Sequence, residues 1–157
     1  MRLAVLALAL LTGSAWAAPV ATDPQTAIVD RQNHMEEFNA AMKGLGEQIM
    51  SKAPDRDAVR DNALIIHDLA QQIPVWFPAG SGPEAGVPTK ATAAIWTEPV
   101  DFAAKASNLV TASQALADFS AAGDLSLLMS KAVAVDTACV ACHKAFQRRD
   151  EVSLNRE

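Results

Sequence analysis

Near the C-terminal end of the 157-residue chain stands "CVACHKAF", residues 139–146, and its chemistry-bearing members are Cys139, Cys142 and His143. The two cysteines are the only ones in the sequence, and the histidine follows the second directly. Cys-x-x-Cys-His is a haem-attachment signature. On a helix, these offsets of three, one and four project the side chains onto neighbouring parts of one face. Two thiols so placed can add to the two vinyl groups of a haem as thioethers, while the imidazole presents a nitrogen to the iron.

Other chemistries fit the same residues less well. A structural zinc site wants four protein ligands, commonly two Cys-x-x-Cys pairs, and only one pair is present. A redox Cys-x-x-Cys of the thioredoxin kind sits after a strand at a helix start, not late in a final helix. A disulfide across two intervening residues closes a very small loop and constrains little. Two inert buried thiols are the remaining reading, one that an exported protein disfavours.

Export is expected from the N-terminus. "MRLAVLALALLTGSAWAAP" has Arg2 as a positive start, nine unbroken apolar residues from Leu3 to Leu11, and the small-x-small pattern Ala15-Trp16-Ala17. This reads as a secretory signal peptide over residues 1–17, leaving one domain over 18–157. The apolar run is far short of the roughly 20 residues that cross a bilayer. Without Arg2 the chain has 12 basic against 18 acidic residues, a formal charge of −6. That balance, with no basic run, argues against nucleic acid and against an anionic membrane surface as partners.

The elements that must position the motif are helices. Half the residues are apolar, aromatics are few and tyrosine is absent, a composition suited to closely packed helices. Between Thr22 and Lys52 the residues Ile28, Met35, Phe38, Met42, Leu45 and Ile49 follow a seven, three, four, three, four spacing, the stripe of a bundle helix. Arg31 fills the gap in this stripe, and a charge on an inward face needs a partner or the rim. A second helix starts at Pro54–Asp55, carries Val59, Ala63, Ile66 and Ile73 on one face, and ends at Pro74.

From Pro74 to Pro99 the chain has five prolines and three glycines, a long crossover. Its Trp76, Phe77, Ile95 and Trp96 argue that it packs on the body rather than hanging as a tether. A third helix over Val100–Ala121 is anchored by Phe102, Leu109, Leu116 and Phe119, with Gly123 as its C-cap. Asp124 then reads as N-cap of a last helix striped by Leu125, Leu128, Ala132, Val135, Cys139, Cys142 and Phe146. Both cysteines fall on that inward seam, and the polar tail after Phe146 should fray. The expected fold is all-α, an antiparallel four-helix bundle with a long crossover between helices two and three and the haem bound within it.

The chain resembles the class II c-type cytochromes, the cytochrome c′ family. The resemblance covers roughly residues 24–150 and rests on "VDRQNHM", "IPVWFPAGSGPE", "AAIWTEP", "AAGDL" and "CVACHKAF". It implies one covalent haem c, with thioethers at Cys139 and Cys142 and His143 as proximal iron ligand. It implies further that Arg31 lies near a haem propionate and that Met35 faces the distal side of the iron. The sequence departs from the family in one place: Gln147 stands four residues after the histidine, where a basic residue is usual, with Arg148 and Arg149 following.

Met35 leaves two functions open. As a thioether ligand it would give a six-coordinate His–Met haem, suited to electron transfer alone. As an apolar plug it would leave a five-coordinate iron beside Met35 and Phe38, with no evident donor for dioxygen but room for nitric oxide or carbon monoxide. Arg31 favours the second. His34 points about 100° away from Met35 around the helix, towards an edge or solvent, and His67 reads as a partly buried structural residue. Glu36 and Glu37 read as a solvated face, and no residue at the distal position supplies the acid–base pair a peroxidase needs, so the expectation is a carrier and not an enzyme. The expected partners are a periplasmic redox protein, basic where it meets this acidic chain, and by resemblance a second copy of the chain.

Overall fold

The computed structural model describes residues 23–123 and 125–149. The expected signal peptide, the N-cap at Asp124 and the end of the tail lie outside the described residues. Four long helices run through this span: α1 (Pro24–Met50), α2 (Arg56–Gln72), α4 (Pro99–Ala121) and α5 (Leu128–Phe146). A single-turn helix, α3 (Ala94–Thr97), closes the crossover between α2 and α4.

Local chemistry sets the helix starts. Asp23 caps α1 by accepting from the Thr26 amide at 2.9 Å, and Pro24 occupies the first turn, where its missing N–H costs nothing. Asp55 caps α2 by accepting from the Asp57 and Ala58 amides. The Asp55 amide also donates to the Gln48 side chain at 2.9 Å, which fixes the short turn and folds α2 back along α1. Pro99 opens α4 in the same manner as Pro24 opens α1. Gly123 follows α4 in the left-handed region, with φ of 73°, a conformation that closes a helix end at little cost only in glycine.

The last helix begins later than the stripe suggests. Leu125 is half-buried but lies before α5, in a turn closed by a Leu128 amide to Leu125 carbonyl bond. The apolar spacing continues through that turn although the helix does not. The tail also departs from expectation at its start: Gln147 pairs with Ala91 in an antiparallel bridge, and the Arg148 amide donates to the Lys90 carbonyl at 2.7 Å. Among the described residues, Arg149 alone lies beyond these ties.

The core draws on all four long helices. Ile28, Leu45, Val59, Ile66, Leu116 and Val135, one or two from each long helix, are fully enclosed. Burying each such side chain contributes about 1.5–3 kcal/mol. α2 packs closely on both α1 and α4, and α4 on α5, whereas α1 and α5 barely meet. The crossover is packed, as its aromatics predict: Trp76 and Ile95 are buried, and the Trp96 indole donates to the carbonyls of Phe77 and Pro78.

Candidate haem-binding site

The gap left between α1 and α5 is a cavity of about 530 Å³, within the roughly 300–1,000 Å³ typical of cofactor pockets. Every site residue expected from the sequence lines it. Arg31 and Met35 come from α1, and Cys139, Cys142 and His143 from α5. Apolar walls separate these groups: Phe38 and Met42 on α1, Phe77 in the crossover, Phe102 and Leu109 on α4, and Phe146 on α5. Phe77, Phe102 and Phe146 form a run of edge-to-face contacts, with ring centroids 5.1 and 5.3 Å apart, so one wall is a continuous aromatic surface.

The cysteines are half-buried rather than sealed in the core, because they face the cavity. Burial, reinforced by Asp136 and by Cys142, pushes the Cys139 thiol up to about 11. Burial also raises Cys142, with Lys105 opposing it. Both are therefore neutral thiols near neutral pH, unlike the electropositive, low-pKa cysteines of redox or metal sites. They are not joined as a disulfide. Among the described residues no group of three or more His, Cys, Asp or Glu side chains could hold a bare metal ion.

His143 sits at the cavity rim, exposed in total area, yet partial burial of its imidazole lowers its pKa. The neutral ring, the form able to bind iron, is thereby favoured. Its carbonyl accepts from the Gln147 amide at 3.0 Å, so α5 ends one turn beyond the histidine. Met35 is half-buried on the opposing wall.

Arg31 is only 3% exposed. Its guanidinium donates from Nη1 to the Ser81 hydroxyl and from Nη2 to that of Thr89, both at 2.9 Å, and lies over the Phe77 ring. Burial lowers its pKa, and the charge of Glu84 works against that shift. Sequence reasoning singled out the arginine but missed Ser81 and Thr89. Nothing in the sequence sets these two apart from Thr92 and Thr97, the other hydroxyl residues of the same crossover.

The remaining candidates fall where expected. His34 is at an edge, stacked on Trp76 with centroids 4.8 Å apart. His67 is partly buried and shares a 3.1 Å hydrogen bond with Ser113. Glu36 and Glu37 are exposed, although Glu36 also reaches the cavity rim.

The family model for cytochrome c′ matches residues 26–147. A cytochrome c′ of Rhodospirillum rubrum is 30% identical over 144 residues, which cover 91% of this chain and 95% of that protein. The chain belongs to the cytochrome c′ family. Among solved structures, cytochrome c′ from Thermochromatium tepidum superposes with a TM-score of 0.73 at 25% identity, covering 80% of this chain and 97% of its own. A nitric oxide complex of a variant cytochrome c prime from Alcaligenes xylosoxidans gives 0.73 at 22% identity, covering 82% and 98%, a likeness of fold.

Cytochromes c′ carry one covalent haem c and are four-helix bundles, as this chain is. The residues present fit that group: two neutral thiols at the required spacing, a histidine beside them, and an apolar cavity with one buried cation on its wall.

Proposed function

We propose that this chain is an exported c-type cytochrome that transfers electrons and binds neutral diatomic gases. The observation that carries the reading is that Cys139, Cys142, His143, Arg31 and Met35, separated by more than a hundred residues of sequence, all line one cavity. Haem would supply a one-electron couple and an axial position for a small ligand. Cys139 and Cys142 would hold it by thioethers and His143 would bind its iron on the proximal side.

Arg31 is suited to a propionate, since a buried guanidinium with only neutral hydroxyl partners gains from a carboxylate. Met35 and Phe38 would offer an apolar distal face, one that suits nitric oxide or carbon monoxide better than dioxygen. Met35 and Phe38 are apolar and cannot serve as the acid–base pair of a peroxidase, which supports a carrier over an enzyme. The leader-like residues 1–17 support a periplasmic location, where thioether-bound haem proteins meet redox partners. No helix among the described residues is long and apolar enough to cross a membrane. A second copy of the chain remains part of this reading.

The test is to express the chain with export and haem maturation and to record its mass and a potentiometric titration. Covalently retained haem with a reversible one-electron couple is the expected result. A chain that stays haem-free under conditions that mature other c-type cytochromes would overturn it.

A further inference from the structure

Met35 and His143 line the same cavity from α1 and α5, two helices that barely meet. Helix packing relates them only indirectly, through α2 and α4. At the end of the bundle where both residues lie, the crossover adds a more direct link, and one of its residues is bonded from both sides.

Thr89 is buried and accepts from two arginines. Arg31, one turn before Met35 on α1, donates from Nη2 to the Thr89 hydroxyl at 2.9 Å. Arg148, five residues beyond His143, donates from Nη2 to the Thr89 carbonyl at 2.6 Å. Both are charge-assisted bonds, stronger than those between neutral groups. Two backbone bonds brace the second arm: the Arg148 amide to the Lys90 carbonyl at 2.7 Å, and the Thr92 amide to the Phe146 carbonyl at 2.9 Å. The last turn of α5, which bears His143, is thus tied through Thr89 to the turn of α1 that leads into Met35.

We propose that Thr89, clamped between Arg31 and Arg148, is a positioning residue that sets the width of the slot between Met35 and His143. The clamp thereby decides whether the Met35 sulfur stays clear of the iron or reaches it. The proposal deepens the reading above and rests on His143 and Met35 flanking the iron. It also gives Arg148 a role that its spacing from His143 does not suggest, since its guanidinium turns to the crossover.

The test compares the haem-loaded protein with Thr89→Val, Arg148→Ala, Arg148→Lys and the exposed neighbour Arg149→Ala, using ferric paramagnetic resonance beside thermal melts. The wild type and Arg149→Ala should each give one coordination state. Arg148→Ala and Thr89→Val should lose that single state and show a second spin component, and Arg148→Lys, which can still donate to the carbonyl, should restore the single signal. Arg148 is exposed, so its alanine variant keeps the test open if Thr89→Val fails to fold. A wild-type spectrum without an axial imidazole would overturn the reading of the site and the clamp with it. A wild-type imidazole signal, left single in both Arg148→Ala and Thr89→Val whatever their melting temperatures, would overturn the clamp alone.

Discussion

The guanidinium carbon of Arg31 lies 4.8 Å from the centroid of the Phe77 ring, while its nitrogens bond Ser81 and Thr89. One buried side chain thus stacks on the crossover and forks into it. A lysine would keep the charge but has neither the fork nor the flat face. Arg31→Lys should lower stability by about 1–2 kcal/mol, read as a drop in the denaturation midpoint. An unchanged midpoint would mean that the crossover is held without this residue.

The two cysteines make separable predictions. Cys139→Ala and Cys142→Ala should each retain haem by one thioether, with the reduced absorption band moved to longer wavelength by the surviving vinyl. The double variant should release haem on denaturing electrophoresis. Haem that stays bound to the double variant under those conditions would place the attachment elsewhere.

Phe102 is the middle ring of the aromatic wall, in contact with Phe77 on one side and Phe146 on the other. Phe102→Ala should cost about 3–5 kcal/mol, because its neighbours belong to different elements and cannot close the hole together. Chemical denaturation measures this, and a loss under 1 kcal/mol would show that the wall collapses freely.

Two glycines of α1 should respond unequally to the same substitution. A Cβ at Gly46 would meet nothing within 4 Å, so Gly46→Ala should stabilise α1 by about 0.5–1 kcal/mol. A Cβ at Gly44 would come within 2.8 Å of the Asn62 side chain, which is itself bonded to the Ala58 carbonyl. Gly44→Ala should therefore gain less than Gly46→Ala or lose stability, and equal melting temperatures would contradict this.

How much of this was legible in the sequence depends on the kind of signal. Long helices announce themselves by spacing, and the stripe from Ile28 to Ile49 matches α1 closely. Cys139, Cys142 and His143 are legible because one helical turn carries all three. The stripe places the start of α5 too early because Leu125 keeps the three-and-four spacing while packing from a turn, and periodicity does not distinguish those cases. The pairing of Arg31 with Ser81 and Thr89, and of Ala91 with Gln147, left no trace. Such contacts join irregular chain to distant elements, where neither period nor propensity applies. Arg31 itself stood out only as a charge on an apolar face, with its partners fifty or more residues away.

The proposed haem site lies in one cavity between His143 and Met35, with the Met35 side open to small ligands. The most direct measurement is the absorption spectrum of the reduced, haem-loaded protein before and after carbon monoxide, with the ferric spectrum alongside. A high-spin ferric iron and a clear spectral shift on adding the gas are the expected results. A low-spin ferric spectrum with a thioether charge-transfer band, and no response to carbon monoxide, would contradict the open site and make Met35 a ligand.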